Sequence, residues 1–222
     1  MKFRHECKHE ISISDMLSLR HRLSAIAQHD PHAPDGSYRI RSLYFDNVYD
    51  KALREKQDGV NCREKFRIRL YNCDSSLIKL EKKSKINGLC SKESVRLTAD
   101  EADRIAHCDT DWMASDDRPL VTELYSRIRS QGLRPRTIVD YTREPFVFPA
   151  GNVRVTLDYD IRTGLDCTEL LNAHCITVPT GNAIILEVKW DEFLPSVIRD
   201  AVQLDDTRTG AFSKYAACRM YG

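Results

Sequence analysis

Charged and apolar residues alternate along many short segments of this chain, which is the pattern of β-strands with one covered face. The segments with this period of two are residues 2–11, 38–46, 63–72, 76–84, 91–97, 136–149, 152–159 and 183–190. Asn87-Gly88 and Gly151-Asn152 are typical of turns between strands. Helical spacing occurs at 15–28, 99–107, 117–130, 195–204 and 211–220, with Ser14 and Thr98 as expected N-caps of the first two. The pattern predicts an α+β fold.

The segment from Arg63 to Leu70 shows how different the two faces of a strand are. Successive side chains point to opposite faces, so every second residue shares a face. One face holds Arg63, Lys65, Arg67 and Arg69, and the other holds Glu64, Phe66, Ile68 and Leu70. Similar separation recurs within 78–83, 153–158 and 184–189. A half-solvated antiparallel sheet explains one such strand, but the repetition favours a closed barrel of about eight strands, with a charged lumen and helices outside.

The balance of charge inside the predicted barrel indicates what it holds. The candidate lumen cations are Lys8, Lys65, Arg67, Arg69, Lys83, Lys92, Arg143, Arg154, Lys189 and Lys214. The acids set against them are Glu6, Glu81, Asp158 and Glu187. Like charges buried without counter-charge are costly, so such a lumen needs an anion. The excess of cations suits a triphosphate or a longer polyphosphate, and the few acids suit a hard divalent ion, Mg²⁺ or Mn²⁺.

Composition narrows the class of protein further. The chain has 222 residues, 41% of them hydrophobic, which predicts a folded single domain over 1–222. Its 34 Lys and Arg against 33 Asp and Glu leave a formal charge of +1, which gives no overall attraction for nucleic acid. No apolar run is long enough for a membrane span and no signal peptide is evident, so we expect a cytoplasmic protein. The eight dispersed cysteines form no CxxC pair and are expected to be free thiols.

An ordered set of motifs over nearly the whole chain resembles a known family. The motifs are Arg4-His-Glu-Cys-Lys8, Ser42-Leu-Tyr-Phe-Asp46, Arg63-Glu-Lys-Phe-Arg-Ile-Arg69, Leu80-Glu-Lys-Lys83, Tyr141-Thr-Arg143, Arg154-Val-Thr-Leu-Asp158, Leu186-Glu-Val-Lys189 and Phe212-Ser-Lys-Tyr215. Together they are similar to the VTC-type polyphosphate polymerase domain, in a bacterial stand-alone form. That domain belongs to the triphosphate tunnel metalloenzymes, the CYTH-like superfamily.

The resemblance implies a function and a set of site residues. It implies an antiparallel tunnel in which the terminal phosphoryl group of ATP, or of another nucleoside triphosphate, passes to a growing polyphosphate chain. Pyrophosphate and phosphate are the related inorganic ligands, and a membrane-protein partner that receives the product would not be visible in this chain. The residues that it implies for catalysis are Arg67, Arg69, Lys83, Arg154 and Lys189. Those implied for phosphate binding are Lys8, Lys65, Lys92, Tyr141, Arg143, Ser213 and Lys214, and the implied ligands of Mn²⁺ or Mg²⁺ are Glu187, Glu6 and Glu81.

Departures from the family pattern keep other functions open. His9 stands where a tyrosine usually follows the first lysine, and Ala211 stands where the fungal domains carry a second lysine. Hydrolytic relatives are similar to one another in having Glu-x-Glu-x-Lys on the first strand, and here Arg4 replaces the first glutamate. That replacement removes a carboxylate and favours the polymerase branch. The alternatives are a triphosphate or polyphosphate hydrolase of the same fold and a non-catalytic polyphosphate or nucleotide sensor.

Overall fold

The computed structural model describes residues 4–33, 35–87, 89–204 and 212–221. The strands are β1 His5–Ile11, β2 Gln28–His29, β3 Tyr38–Asp46, β4 Cys62–Tyr71, β5 Asp74–Ile86, β6 Leu89–Leu97, β7 Arg134–Phe148, β8 Val153–Thr163, β9 Val178–Pro179 and β10 Ile184–Trp190. The helices are α1 Ile13–Ile26, α2 Lys51–Gln57, α3 Ala99–Ala106, α4 Pro119–Gln131, α5 Ser196–Ala201 and α6 Lys214–Arg219. Short 3₁₀ turns lie at Asp111–Ser115 and Ala150–Asn152. The protein is therefore α+β, as the sequence predicts.

One antiparallel sheet organises the molecule. Its main path runs β1-β10-β8-β7-β3-β4-β5-β6, with β2 paired to β7 and β9 paired to β8. All of these pairs are antiparallel. The two edges of the curled sheet, β1 and β6, approach each other at an isolated bridge between Arg4 and Cys90. The described residues form no continuous ladder there, so the eight predicted strands are present as an open, curled half-barrel and full closure is not shown.

Helices cover the convex face of the sheet, because that face carries the apolar half of each strand. Phe66, Ile68 and Leu80 pack with residues of α3 and α4 in one core. Val155, Leu157 and Leu186 pack with α1 and α5 in a second core. The sequence pattern therefore assigned the two faces correctly. Apolar residues face the helices, and charged residues face the concave side of the sheet.

The concave side is filled at one end by α6. Tyr215 and Cys218 of this helix join a third core that includes Ile40, Val139 and Ile185 of the sheet. The Tyr215 hydroxyl donates to the buried Asp46 carboxylate at 2.7 Å. The same carboxylate accepts the backbone N–H groups of Ala52 and Leu53 in the first turn of α2. One buried acid therefore fixes both helices to the end of β3.

Some element boundaries differ from the prediction. The first helix begins after Ser12, which forms a capping box with Asp15, so Ser14 is not the N-cap. Thr98 is the N-cap of α3, as predicted, and forms a capping box with Glu101. The sequence pattern missed α2, whose helix is only seven residues long. Ala211 and Gly88, both named in the sequence interpretation, lie outside the described residues.

In the described part of the chain, no helix is both long and apolar enough to cross a bilayer.

The turn between β7 and β8 depends on Gly151, whose φ is +70°. A Cβ at this position would overlap the carbonyl oxygen of Phe193, and it would also lie 3.3 Å from Cδ of Pro195. Gly151→Ala should therefore lower the free energy of unfolding by roughly 2–4 kcal/mol, because steric overlap adds to backbone strain. Gly36→Ala is the matched control: its φ is +77° but nothing lies within 4 Å of the added Cβ. Urea unfolding of both variants checks this, and equal losses would contradict it.

Candidate functional site

A cavity of about 440 Å³ lies on the concave face of the sheet. Fourteen of the fifteen predicted site residues line it: Glu6, Lys8, Lys65, Arg67, Arg69, Lys83, Lys92, Tyr141, Arg143, Arg154, Glu187, Lys189, Ser213 and Lys214. The strands place these side chains together because each one supplies every second residue to the concave face. Ser213 and Lys214 come instead from the start of α6. Glu81 is the exception, since it is fully buried behind the cavity wall and does not line it.

Two carboxylates on neighbouring strands share two lysines at one side of the cavity. Lys8 Nζ lies 2.5 Å from Glu6 Oε1 and 3.1 Å from Glu187 Oε1. Lys189 Nζ lies 2.8 Å from Glu187 Oε2 and 3.5 Å from Glu6 Oε2. Register explains the grouping, because Glu187 is directly opposite Lys8, and Lys189 is directly opposite Glu6, in the β1–β10 ladder.

Electrostatics keep both of these carboxylates charged. Burial opposes ionisation of Glu187, but Lys189, Lys8 and Arg143 outweigh it and hold the pKa of Glu187 well below its usual value. Burial and the nearby Glu187 both oppose ionisation of Glu6, yet Lys83, Lys8 and Lys189 still lower the pKa of Glu6. Two adjacent anions are therefore available at neutral pH, each held by cations rather than by solvent.

A third acid, Asp158, is fully buried outside the cavity lining and organises two of the cations that line the cavity. Arg143 donates to both Asp158 oxygens at 2.7 Å, and Lys214 Nζ lies 2.6 Å from Oδ2. Burial raises the pKa of Asp158, but Arg143 and Lys214 lower it more, to about 2. Arg143 also reaches Glu187 Oε2 at 3.3 Å. Asp158 thus fixes α6 to the sheet and connects it to the Glu6–Glu187 pair.

Glu81 balances charge on the opposite side. Its Oε2 accepts Arg67 Nη2 at 2.6 Å, and its Oε1 accepts Lys92 Nζ at 2.7 Å, while Arg69 Nη1 lies 3.8 Å away. Burial alone would raise the pKa of Glu81, but Arg67, Arg69 and Lys92 hold it far below the usual range. Both oxygens of Glu81 already accept hydrogen bonds from cations. This geometry favours a role in charge balance for Glu81, in place of the metal ligation that the resemblance implies.

Three arginines of the cavity are held by tyrosine hydroxyls. Arg67 Nη1 donates to Tyr44 OH at 2.9 Å, and Arg69 Nη2 donates to Tyr141 OH at 3.1 Å. Arg154 Nη2 donates to Tyr38 OH at 2.9 Å. The three arginine–tyrosine pairs orient the guanidinium groups through neutral acceptors. A neutral acceptor does not itself cancel the charge of a guanidinium. Arg67 and Arg154 also pair with carboxylates, Glu81 and Asp30 respectively, each at 2.6 Å, whereas Arg69 lies 3.8 Å from Glu81 and keeps more of its charge for an anion.

Sequence reasoning missed Tyr38 and Tyr44 as site residues, although both line the cavity from β3. Tyrosine at a strand position is more often a packing residue. The register places Tyr44 directly opposite Arg67 on the adjacent β4, whereas Tyr38 meets Arg154 of β8, which is far away in sequence. It also missed Lys56 of α2, Arg63 of β4 and Lys85 of β5, which line the cavity as well. Arg63 shares a face with Lys65 in the pattern, which is the signal that could have found it.

Several cavity cations have no carboxylate partner in the part of the chain that the structure describes. Within 4 Å of their nitrogen atoms no described acid is found for Lys56, Arg63, Lys65, Lys83 and Lys85. Burial is the largest cause that lowers the pKa of Lys83 well below its usual value, and Lys189 and Lys8 add repulsion. Burial likewise lowers the pKa of Lys65 to about 8. The cavity is therefore short of negative charge on its β4–β5 side.

Glu6 and Glu187 are the residues that could hold a divalent cation. Each already contacts the same two ammonium groups, so the two carboxylates are within reach of one shared positive ion. Oxygen ligands from two carboxylates, completed by substrate phosphates, are the set that Mg²⁺ and Mn²⁺ use in nucleotide sites. Among the described residues no cluster of three or more His, Cys, Asp or Glu side chains has metal-binding geometry. A metal here would depend on ligands from the substrate.

The fold and the cavity define a curled antiparallel sheet protein with a predominantly cationic concave site. The chain belongs to the VTC domain family, whose family model matches residues 3–221. No curated protein sequence matches it.

Several solved structures are similar to this chain at low sequence identity. The PH1012 protein from Pyrococcus horikoshii OT3 has a TM-score of 0.52 and 10% identity, over 95% of this chain and 96% of that chain. A Bacillus halodurans protein, provisionally named an adenylate cyclase, has a TM-score of 0.49 and 14% identity over 85% of this chain and 80% of that chain. The PH1819 protein from Pyrococcus horikoshii OT3 has a TM-score of 0.44 and 13% identity, over 90% and 84% respectively. Of these three, PH1012 has the TM-score above 0.5, and at 10% identity its similarity concerns the fold alone.

The lowered pKa of Lys65 makes stability depend on pH. Between about pH 8 and 10.5 the unfolded chain binds this proton and the folded chain does not, so stability rises with pH across that window. The free energy of unfolding in urea should rise by roughly 1–2 kcal/mol more in the wild type than in Lys65→Met between about pH 8 and 10. Lys51→Met, at a lysine outside the cavity lining, should keep the wild-type slope. An unchanged slope in Lys65→Met would contradict the assignment.

Removing one tyrosine hydroxyl should weaken anion binding without removing the ring. Tyr44→Phe keeps the stack on Tyr215, whose ring centroid is 5.0 Å away, but removes the acceptor of Arg67 Nη1. We expect the affinity for inorganic tripolyphosphate, measured by calorimetry, to fall about fivefold, the equivalent of ~1 kcal/mol. Tyr49→Phe is the control, because Tyr49 is 71% exposed and outside the lining. Equal affinities for Tyr44→Phe and wild type would exclude a positioning role for this hydroxyl.

Proposed function

We propose that this protein is a cytoplasmic, metal-dependent polyphosphate polymerase whose single domain spans 1–222. It transfers the terminal phosphoryl group of ATP to a growing inorganic polyphosphate chain in the concave cavity. The observation that carries the proposal is the cluster of cavity cations without a described carboxylate partner, Lys65 and Lys83 above all, since a polyphosphate supplies the missing negative charge. Membership in the VTC domain family supports the same class of substrate.

The chain's own residues bind and orient the triphosphate. Arg67 and Arg69 stand side by side on β4, and both guanidinium groups are fixed by tyrosine hydroxyls. They hold the phosphate oxygens together with Lys83, Lys189 and Arg154. Lys8, Lys65, Lys92, Arg143, Lys214, Tyr141 and Ser213 surround the rest of the polyanion, as the lining of the cavity allows. Holding both reactants in one cationic enclosure supplies the alignment that phosphoryl transfer needs.

The reaction needs no protein nucleophile. The terminal phosphate oxygen of the acceptor chain attacks the terminal phosphorus of ATP, the bond from that phosphorus to the bridging oxygen breaks, and ADP leaves. A divalent ion held by Glu187 and Glu6 would neutralise charge on the transferring group. Lys8 and Lys189 now neutralise these carboxylates and would be available to phosphate oxygens if such an ion took their place. Glu81 is assigned to holding Arg67 and Lys92 rather than to the metal.

Arg4 supports the polymerase over a hydrolase. Its guanidinium Nε lies 2.7 Å from Asp191, at the rim of the cavity, so a cation stands at the strand position where the hydrolytic relatives carry a glutamate. The site therefore has one carboxylate fewer to orient a water molecule. We also propose that bound polyanion brings β1 and β6 together, which would complete the closed barrel expected from the sequence.

Product analysis tests the proposal directly. The protein is incubated with ATP and Mn²⁺ or Mg²⁺, with pyrophosphate or short polyphosphate as acceptor, and the phosphate products are separated by electrophoresis. A ladder of lengthening chains and an equal yield of ADP are expected. Free phosphate alone would overturn the proposal in favour of a hydrolase. Binding of tripolyphosphate with neither product would favour the sensor.

Glu187→Gln should separate metal use from anion binding. The variant keeps the size of the side chain but removes a charge from a site that holds Lys8, Lys189 and Arg143. Turnover with Mn²⁺ should fall at least about 100-fold, while tripolyphosphate binding measured without metal should stay equal or tighten. Arg69→Ala is the contrasting variant and should weaken binding about tenfold with or without metal. Near-normal turnover in Glu187→Gln would contradict metal-assisted transfer at Glu187.

A further inference from the structure

Two thiols meet in the segment between β8 and β9, on the side of the sheet away from the cavity. The Cys175 thiol donates to Cys167 Sγ, and the two sulfur atoms are 2.9 Å apart. Neither is bonded in a disulfide, and both side chains are partly exposed. Among the described residues no other two cysteine sulfurs are in hydrogen-bond contact. This pair is thus distinct from the exposed single cysteines, such as Cys108.

The backbone around the pair holds the thiols in place. Cys167 N–H donates to Gly164 O at 2.9 Å, and Cys175 N–H donates to Asn172 O at 3.1 Å, so each cysteine ends a turn. Leu170, between them, is 2% exposed and packs in the first core. Arg41 Nη1 donates to Asn172 O at 2.5 Å and connects the segment to the back of β3. The close contact of the sulfurs is therefore built into an anchored segment.

We propose that Cys167 and Cys175 form an oxidisable dithiol that a peroxide converts into a disulfide. A disulfide places its sulfurs about 2.05 Å apart, so the thiols need to approach by only about 1 Å. Neighbours on both sides are exposed, Asp166 and His174 among them, so a small oxidant reaches the pair.

The chemistry has two balanced steps. The Cys167 sulfur attacks one oxygen of hydrogen peroxide, the O–O bond breaks, and a sulfenic acid and water form. The Cys175 sulfur then attacks the sulfenic sulfur, the S–S bond forms, and hydroxide leaves to take up the thiol proton as water. Two thiols lose two electrons and two protons, and one peroxide is reduced to two waters.

The contact between the thiols also sets their order of reaction. Cys167 accepts the S–H of Cys175, so the Cys175 proton lies between the two sulfur atoms. Burial, and then the contact with Cys167, raises the pKa of Cys175 to about 12, which keeps that thiol protonated. Cys167 therefore attacks the peroxide and Cys175 resolves the sulfenic acid.

Mass spectrometry of the whole protein tests the proposal. The purified wild-type chain is treated with one to a few equivalents of hydrogen peroxide and digested without reduction. A loss of about 2 Da and a peptide linkage between Cys167 and Cys175 are expected, both reversed by a thiol reductant. Cys108→Ser is the matched control and should behave as wild type. A linkage between other cysteines, or oxidation to sulfinic acid without the 2 Da loss, would overturn the proposal.

Two variants test the order of the steps. Cys175→Ser should accumulate a sulfenic acid at Cys167 that a dimedone probe labels, and Cys167→Ser should show neither the label at Cys175 nor the 2 Da loss. Circular dichroism of both variants checks that they are folded. The wild-type peptide map decides the pairing even if a variant does not fold, because it needs no substitution. Labelling of Cys175 in Cys167→Ser equal to that of Cys167 in Cys175→Ser would contradict the assigned order.

Discussion

Cations on neighbouring strands of the concave face repel one another, and much of the architecture compensates for that repulsion. Lys65, Lys83 and Lys92 stand directly opposite one another on β4, β5 and β6. Like charges in such cross-strand positions destabilise a sheet, and partial burial strengthens the effect. Buried carboxylates, tyrosine hydroxyls and the aromatic ring of Tyr215 beneath Lys65 offset part of this cost. The sheet can hold these residues only because its convex face is covered by two apolar cores.

The compensation is uneven around the curl. Glu6, Glu187 and Asp158 gather on β1, β10 and β8. On the described concave face of β4 and β5 the single acid is Glu81, which is shared among Arg67, Arg69 and Lys92. The half formed by β1, β10 and β8 is thus richer in carboxylates, and the half formed by β4 and β5 has more cations without a described carboxylate partner. A metal-assisted phosphate chemistry needs both halves, since hard cations bind the first and phosphate oxygens bind the second.

Period-two alternation was enough to predict which side chains face the cavity, because it depends only on the geometry of a strand. The clearest case is β4, where Arg67 and Arg69 face the cavity and Phe66 and Ile68 face the helices. The same pattern could not show that Glu81 is enclosed by cations, because that follows from which strands are neighbours. The sequence pattern also could not predict contacts between distant segments, such as Arg154 with Tyr38 and α6 with Asp46. Nor could it predict that Cys167 and Cys175 meet, because their segment has no periodic pattern. The start of α1 at Ser12 was readable, since Asp15 three residues later completes a capping box.

The single bridge between Arg4 and Cys90 has a consequence for access. Where two sheet edges touch at one point among the described residues, the wall between them is a seam rather than a continuous ladder. A closed tunnel admits a polymer only end first, so a long chain has to thread through it. A curled sheet with a seam is a groove until its edges are brought together, and a linear polymer can be laid into a groove at any point along its length.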